Sequence, residues 1–242
     1  MLRHVRILPA LLPAAVLFLT LPAQAQIAFD GSPWSHELRL AEVPSTAVTS
    51  FPAVDHAAYL AEDEVRAATG NKMLRFGAVH PTALDLHNSG TWEELPNGDG
   101  VWRIGLLCPD AYSVNFEFHD YAVPEGGKVY VYNEAGETLG AFTAESSGGI
   151  DQMGVMYLPG ERITVEYNEP ANVRGEGRLR IGQVTHGYRD MFSADRGFNT
   201  SGSCNNNVVC PVGDPWRPQI RSVAMIMVGG QGACTGTLVN NC

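Results

Sequence analysis

The sequence predicts a mainly β protein, an antiparallel β-sandwich of the jelly-roll kind preceded by one helix. Three observations carry that prediction. Apolar and polar residues alternate in several runs: Val114, Phe116 and Phe118 with Asn115, Glu117 and His119; Ile163, Val165 and Tyr167 with Thr164 and Glu166; Leu179 and Ile181 with Arg178, Arg180 and Gly182. A period of two turns one side of each strand to a core and the other to water. Turn chemistry separates the runs, at Pro96-Asn97-Gly98-Asp99-Gly100, Pro124-Glu125-Gly126-Gly127, Asn133-Glu134-Ala135-Gly136 and Pro159-Gly160. Trp92, Trp102, Phe116, Phe118, Tyr130, Tyr132 and Tyr157 supply aromatic area for a core. Residues 73–190 hold about eight such strands.

The elements follow in chain order. Arg3, His4 and Arg6 make a positive n-region, residues 7–21 are apolar, and Ala23-Gln24-Ala25 gives a small-x-small pattern. This is the layout of a cleaved export signal, residues 1–25, with the scissile bond between Ala25 and Gln26. The apolar run falls short of the roughly 20 residues that span a bilayer, and no later segment is apolar enough to cross. Secretion to the periplasm or beyond is the expectation, with no membrane association after cleavage. Residues 26–72 form a linker and a helix. Within them, 27–53 are rich in Pro, Ser, Thr and Ala and read as a linker or loosely held arm. A helix is expected over 55–69, capped by Asp55 and closed by Gly70 in a left-handed cap. Glu62, Asp63 and Glu64 are assigned to its solvated face, and Tyr59, Leu60 and Val65 to its core contacts. Residues 191–200 are polar and turn-rich and read as an exposed connection, where proteases cut.

Charge and cysteine divide the chain in the same way. The formal net charge is −10, and without the signal it is −12, from 14 basic and 26 acidic residues. Residues 26–196 carry −13 of this, because the remainder holds only Asp214, Arg217 and Arg221. An acidic surface argues against nucleic acid and anionic membrane as partners. Cys108 stands alone, whereas Cys204, Cys210, Cys234 and Cys242 crowd into the tail. An odd count in an exported chain points to an absent disulfide partner.

No catalytic residue is assigned. The sequence holds neither a Gly-Asp-Ser-Gly-Gly nor a Gly-x-Ser-x-Gly nucleophile motif, and none of its histidines sits in a Thr-Ala-x-His-Cys context. His80, Asp85 and His87 are the best metal-like grouping, but their spacing matches no metal signature and they read as loop residues satisfied by hydrogen bonds. Neither a metal nor a cofactor is indicated. Cys108 follows the apolar run 104–107 and reads as a buried, inert thiol.

The tail carries the most specific motifs. Ser201-Gly202-Ser203-Cys204-Asn205, Val208-Val209-Cys210-Pro211 and Gly213-Asp214 are followed by Ile220-Arg221-Ser222-Val223-Ala224 and then by Ala233-Cys234-Thr235-Gly236-Thr237-Leu238-Val239-Asn240-Asn241. Together they resemble the mature start of the bacterial lysyl endopeptidases, which share the trypsin-like double β-barrel. Upstream, Gly90-Thr91-Trp92, Val101-Trp102-Arg103, Tyr167-Asn168-Glu169-Pro170 and Val184-Thr185-His186-Gly187-Tyr188 resemble the pro-region ahead of such proteases. The resemblance implies that 73–190 are a pro-domain and that 201–242 are the incomplete start of a trypsin-like protease domain. It also implies that Cys204, Cys210 and Cys234 pair with cysteines further along, and that the catalytic triad lies beyond Cys242. Cys242 itself departs from the family pattern. Arg196–Gly197 is then a candidate processing bond.

On this reading the chain is the precursor part of a secreted serine endopeptidase that cuts after Lys or Arg, inactive by itself. Its partners are its own downstream protease domain and, for the whole enzyme, protein substrates. A second reading is an exported β-sandwich that binds a glycan or a surface protein and carries a vestigial tail.

Overall fold

The computed structural model describes residues 28–71, 73–191 and 211–238. The expected signal with its Ala25–Gln26 bond, the candidate processing bond Arg196–Gly197, and Cys204, Cys210 and Cys242 lie outside the described residues.

The chain starts with a short helix α1 (Trp34–Glu37) and a strand β1 (Val48–Ser50), followed by helix α2 (His56–Ala68). Strands β2 (Leu74–Arg75), β3 (Gly77–Asp85), β4 (Thr91–Glu94), β5 (Gly100–Leu107), β6 (Ser113–Ala122), β7 (Lys128–Asn133), β8 (Thr138–Phe142), β9 (Met153–Pro159), β10 (Arg162–Glu169) and β11 (Arg178–Gly187) come next. The tail adds helix α3 (Arg217–Ile220) and strands β12 (Val223–Val228) and β13 (Gly232–Thr237).

Two sheets face each other. One runs β1-β5-β10-β7-β8, with β4 beside β5, and the other runs β3-β11-β6-β9. Leaving out the accessory strands β1 and β4, eight strands remain, four to a sheet. The chain crosses between sheets at almost every step, so that β3 lies against β11 and β5 against β10. This is the paired Greek-key order of a jelly roll, the architecture expected from the alternation. Its core joins Trp102, Ile104 and Leu106 of β5, Phe116 and Phe118 of β6 and Val165 and Tyr167 of β10, all completely buried.

The helix forms where the sequence predicts it. Asp55 accepts a hydrogen bond from the Ala58 N–H, satisfying a donor that the first turn leaves free. At the other end Gly70 has φ +92°, its N–H reaches the Ala67 carbonyl and the Asn71 N–H reaches Arg66. These are the two bonds of a Schellman motif.

Two expectations about exposed surface are corrected. Residues 28–53 are not a loose arm. The Phe29 N–H and carbonyl pair with Ala141, the Ser35 N–H donates to Glu166, Arg103 donates to the Ala41 carbonyl, and β1 pairs in parallel with β5. The arm therefore covers the outer side of β10, and Glu166 is completely buried where alternation predicts water. Of the contacts expected from the helix, Tyr59 packs inward and Val65 does not, and Asp63 turns inward with Tyr59. Tyr59 stacks on Tyr188 and Asp63 bonds to Arg75, whereas Val65 is 65% exposed. Residues 56, 59 and 63 recur at helical spacing and share one face, while Val65 lies well round from them.

Candidate docking interface

The tail docks beside the jelly roll by pairing with β2, a two-residue strand that belongs to neither of its two sheets. The β12–β13 hairpin pairs Val223 with Thr237 through Val228 with Gly232. β13 then pairs with β2, Gly232 opposite Arg75 and Ala233 opposite Leu74. The Phe76 N–H extends the ladder to the Gln231 carbonyl at 2.8 Å. Edge pairing of this kind takes its affinity from main-chain hydrogen bonds and its specificity from side-chain pockets.

The tip of the hairpin is shaped to fit the outer side of the β3-β11-β6-β9 sheet. Gly229 and Gly230 have φ +56° and +68°, and the Gln231 N–H closes the turn on the Val228 carbonyl. Two consecutive positive φ values give the primed turn that matches strand twist. Asn115 of β6, fully buried, donates to the Gly230 carbonyl at 2.9 Å, and Gln183 of β11 donates to the Gly229 carbonyl at 3.2 Å. A methyl group on Gly230 would come within 2.9 Å of Gln183 Nε2, 3.1 Å of Glu117 Oε1 and 3.2 Å of Thr185 Oγ1. Alternation expects Asn115 to face water, and docking of the turn is what buries it.

An apolar contact backs the ladder. Phe76, Tyr157 and Met191 of the upstream part join Ala233 of the hairpin, with Met225 and Met227 packed against them. The outward side of the hairpin, by contrast, presents Ile226 and Val228, 49% and 44% exposed. Among the described strands, β12 has one partner, which leaves an apolar edge over 225–228 along its other side.

A charged cluster holds β2 in place. Arg75 bonds to Asp63 at 2.8 Å and to Glu62 at 3.1 Å, and its guanidinium lies over the Tyr59 ring. The Tyr188 hydroxyl and Arg189 reach the other Asp63 oxygen at 2.7 and 3.0 Å. Burial opposes the Arg75 charge, but the bond to Glu62 and the nearby Tyr188 and Asp63 outweigh it and raise its pKa. Burial, reinforced by Asp63, raises the Tyr188 pKa as well. Asp63 thus ties α2, β2 and the segment entering the connection to one carboxylate. The acidic triplet is not wholly a solvated face, because Asp63 points inward.

The remaining candidate residues are placed as follows. Cys108 is buried and unpaired, with its thiol pushed up to about 12 by burial. Cys234, a disulfide candidate, is an exposed free thiol on β13. Asp85 closes a turn by accepting from the His87 and Asn88 N–H groups, and among the described residues no cluster fit to hold a metal ion occurs. His80 is drawn elsewhere, into a group with His56 and His186. None of the described helices is long and apolar enough to cross a membrane. The docking residues Asn115, Gln183, Asp63 and Arg75 carry no motif; the Gly229-Gly230 pair is the signal that could have marked the turn.

The family model described as lysyl endopeptidase, C-terminal domain, matches residues 198–242, the segment that contains the docked hairpin. A lysyl endopeptidase of Pseudomonas aeruginosa is 29% identical over 175 residues, covering 62% of this chain and 36% of that protein. That share is about 150 residues of the chain against 45 in the tail, so the likeness reaches well into the jelly roll. The chain thus resembles lysyl endopeptidase over part of its length and spans about a third of that relative. No solved structure matches.

Proposed function

We propose that residues 28–191 are the pro-region of an exported serine endopeptidase and that residues 201–242 open its protease domain. One observation carries this reading: the segment that matches the protease family is held against the upstream part, through the β13–β2 ladder and through the bonds of Asn115 and Gln183 of the jelly roll to the Gly229-Gly230 turn. A barrel built from long-range strand pairs folds slowly, because loop closure precedes the contacts that reward it. A pro-region that holds the first hairpin in register lowers that cost and pairs the β13 edge of the partly folded barrel. The substrate class is peptide bonds after Lys or Arg. The pro-region's partner is the protease domain attached to it.

The mechanism of the pro-region is templating. Asn115 and Gln183 fix the Gly229-Gly230 turn, Arg75 and Leu74 supply the partner strand, and Phe76, Tyr157 and Met191 bury one side of the hairpin. No residue of the jelly roll takes part in bond cleavage. Processing at Arg196–Gly197 would release the template once the barrel has closed.

The test is expression of the gene, extended through its downstream reading frame, with and without residues 28–190. Hydrolysis of a lysyl ester should appear only when that segment is supplied, in cis or as a separate chain during refolding. Equal yield of active enzyme without it would overturn the proposal.

A further inference from the structure

We propose that His56 and His186 form an acid-released latch that controls how firmly the jelly roll grips the C-terminal hairpin. Its biological use rests on the pro-region reading above; the latch itself rests on the following geometry.

His186 lies near the end of β11 and is completely buried. His56 is the first residue of α2, and its Nε2 stands 3.0 Å from Nε2 of His186. A hydrogen bond between two imidazole nitrogens needs one N–H and one lone pair. One ring must therefore keep an unprotonated Nε2, and two imidazolium ions would leave donors facing each other. His80 of β3 packs close by, with ring centroids 6.3 Å apart. Nδ1 of His186 and Nε2 of His80 are buried without a hydrogen-bond partner, so neither position offers an acceptor to stabilise an added proton.

The groups facing the cluster from each element give little relief. Tyr112 lays its ring against His56 and Phe51 against His80. Asp55 is committed to the Ala58 N–H. Asp110 is the carboxylate whose field favours a charged His186, and burial together with His56 and His80 outweighs it, lowering the His186 pKa to about 4. Burial lowers His80 in the same direction. The N-terminus of α2 adds its own unfavourable field for a cation.

The latch is linked to the interface through the helix. His56 and Asp63 lie two turns apart on the same face of α2. Asp63 holds Arg75, whose strand carries the main-chain bonds to β13. Lifting the start of α2 loosens Asp63, and with it the β2–β13 pairing. Acid therefore favours release of the hairpin.

The experiment is amide hydrogen exchange of the 242-residue chain at pH 7.5 and pH 5, corrected for intrinsic exchange. If opening returns His186 to an ordinary pKa of 6.5, protection of Gly232–Thr237 falls about thirtyfold between these conditions. Core amides of β6, which open at a higher free energy, should stay more protected than the hairpin at both pH values. In His186→Gln the thirtyfold change should vanish. NMR titration of the wild-type imidazoles gives an independent readout should that variant fail to fold, with one of the pair staying neutral below pH 5. A hairpin protected equally at both pH values, or two rings that titrate independently near 6.5, overturns the latch alone. A hairpin as unprotected at pH 7.5 as a free peptide overturns both the latch and the docking interface.

Discussion

Replacing Asp63 by Asn should destabilise the protein far more than replacing its neighbour Glu62 by Gln, although both carboxylates bond the same guanidinium. Asp63 is only 13% exposed and accepts from Arg75, Tyr188 and Arg189 at 2.7–3.0 Å. Glu62 is 55% exposed and bonds Arg75 alone among these groups. Asp63→Asn keeps the volume, removes the charge and turns an amide NH2 toward at least one donor. Arg75, with a side chain 9% exposed, then lacks its buried counter-ion. Breaking a buried pair from one side costs about 3–5 kcal/mol, and the surviving Glu62 bond argues for the lower end, about 3 kcal/mol. An exposed pair is worth roughly 0–1 kcal/mol, so Glu62→Gln should cost less than 1 kcal/mol. Urea unfolding at pH 7.5, followed by tryptophan fluorescence, measures both. Losses of similar size, or a larger one for Glu62→Gln, would refute the idea that Asp63 joins α2 to β2.

Gly230→Ala places a side chain at φ +68° and crowds Gln183, so it should cost about 1–2 kcal/mol of hairpin docking, read as faster proteolytic nicking within 223–237. Asn115→Ala leaves the Gly230 carbonyl without its donor and should cost about 1–2 kcal/mol, read by the same nicking assay, while thermal unfolding of the jelly roll shifts little. Stability should rise with pH between about 4 and 6.5, because the unfolded chain binds a proton at His186 that the folded chain refuses; the loss on acidification approaches about 3 kcal/mol, measured by urea unfolding across that window. The purified 242-residue chain should hydrolyse no lysyl ester; turnover abolished by a serine-directed inhibitor would contradict the templating role.

Much of the fold was legible because its causes are local. Val114, Phe116 and Phe118 alternate with polar neighbours and do line the core. Asp55 and Gly70 mark the ends of α2, since caps are set by the residues that make them. The docking interface was not legible in the same way. Asn115 and Glu166 occupy positions that alternation gives to water, and they are buried because the hairpin or the N-terminal arm covers them. Asp63 sits in an acidic triplet with the composition of a solvated face, and its partners Arg75 and Arg189 are distant in sequence. His80 reads as a neighbour of Asp85 and His87, yet strand pairing carries it to His186 across more than 100 residues.

By itself the sequence determined the strands, the helix with its caps, the turns between them and the protease-like motifs of the tail. Each of these depends on residues a few positions apart. Only the tertiary structure decided which outer surfaces are covered, which carboxylate meets Arg75 and where β13 finds its partner strand. Those outcomes depend on burial and on pairing between distant segments, which no local pattern encodes.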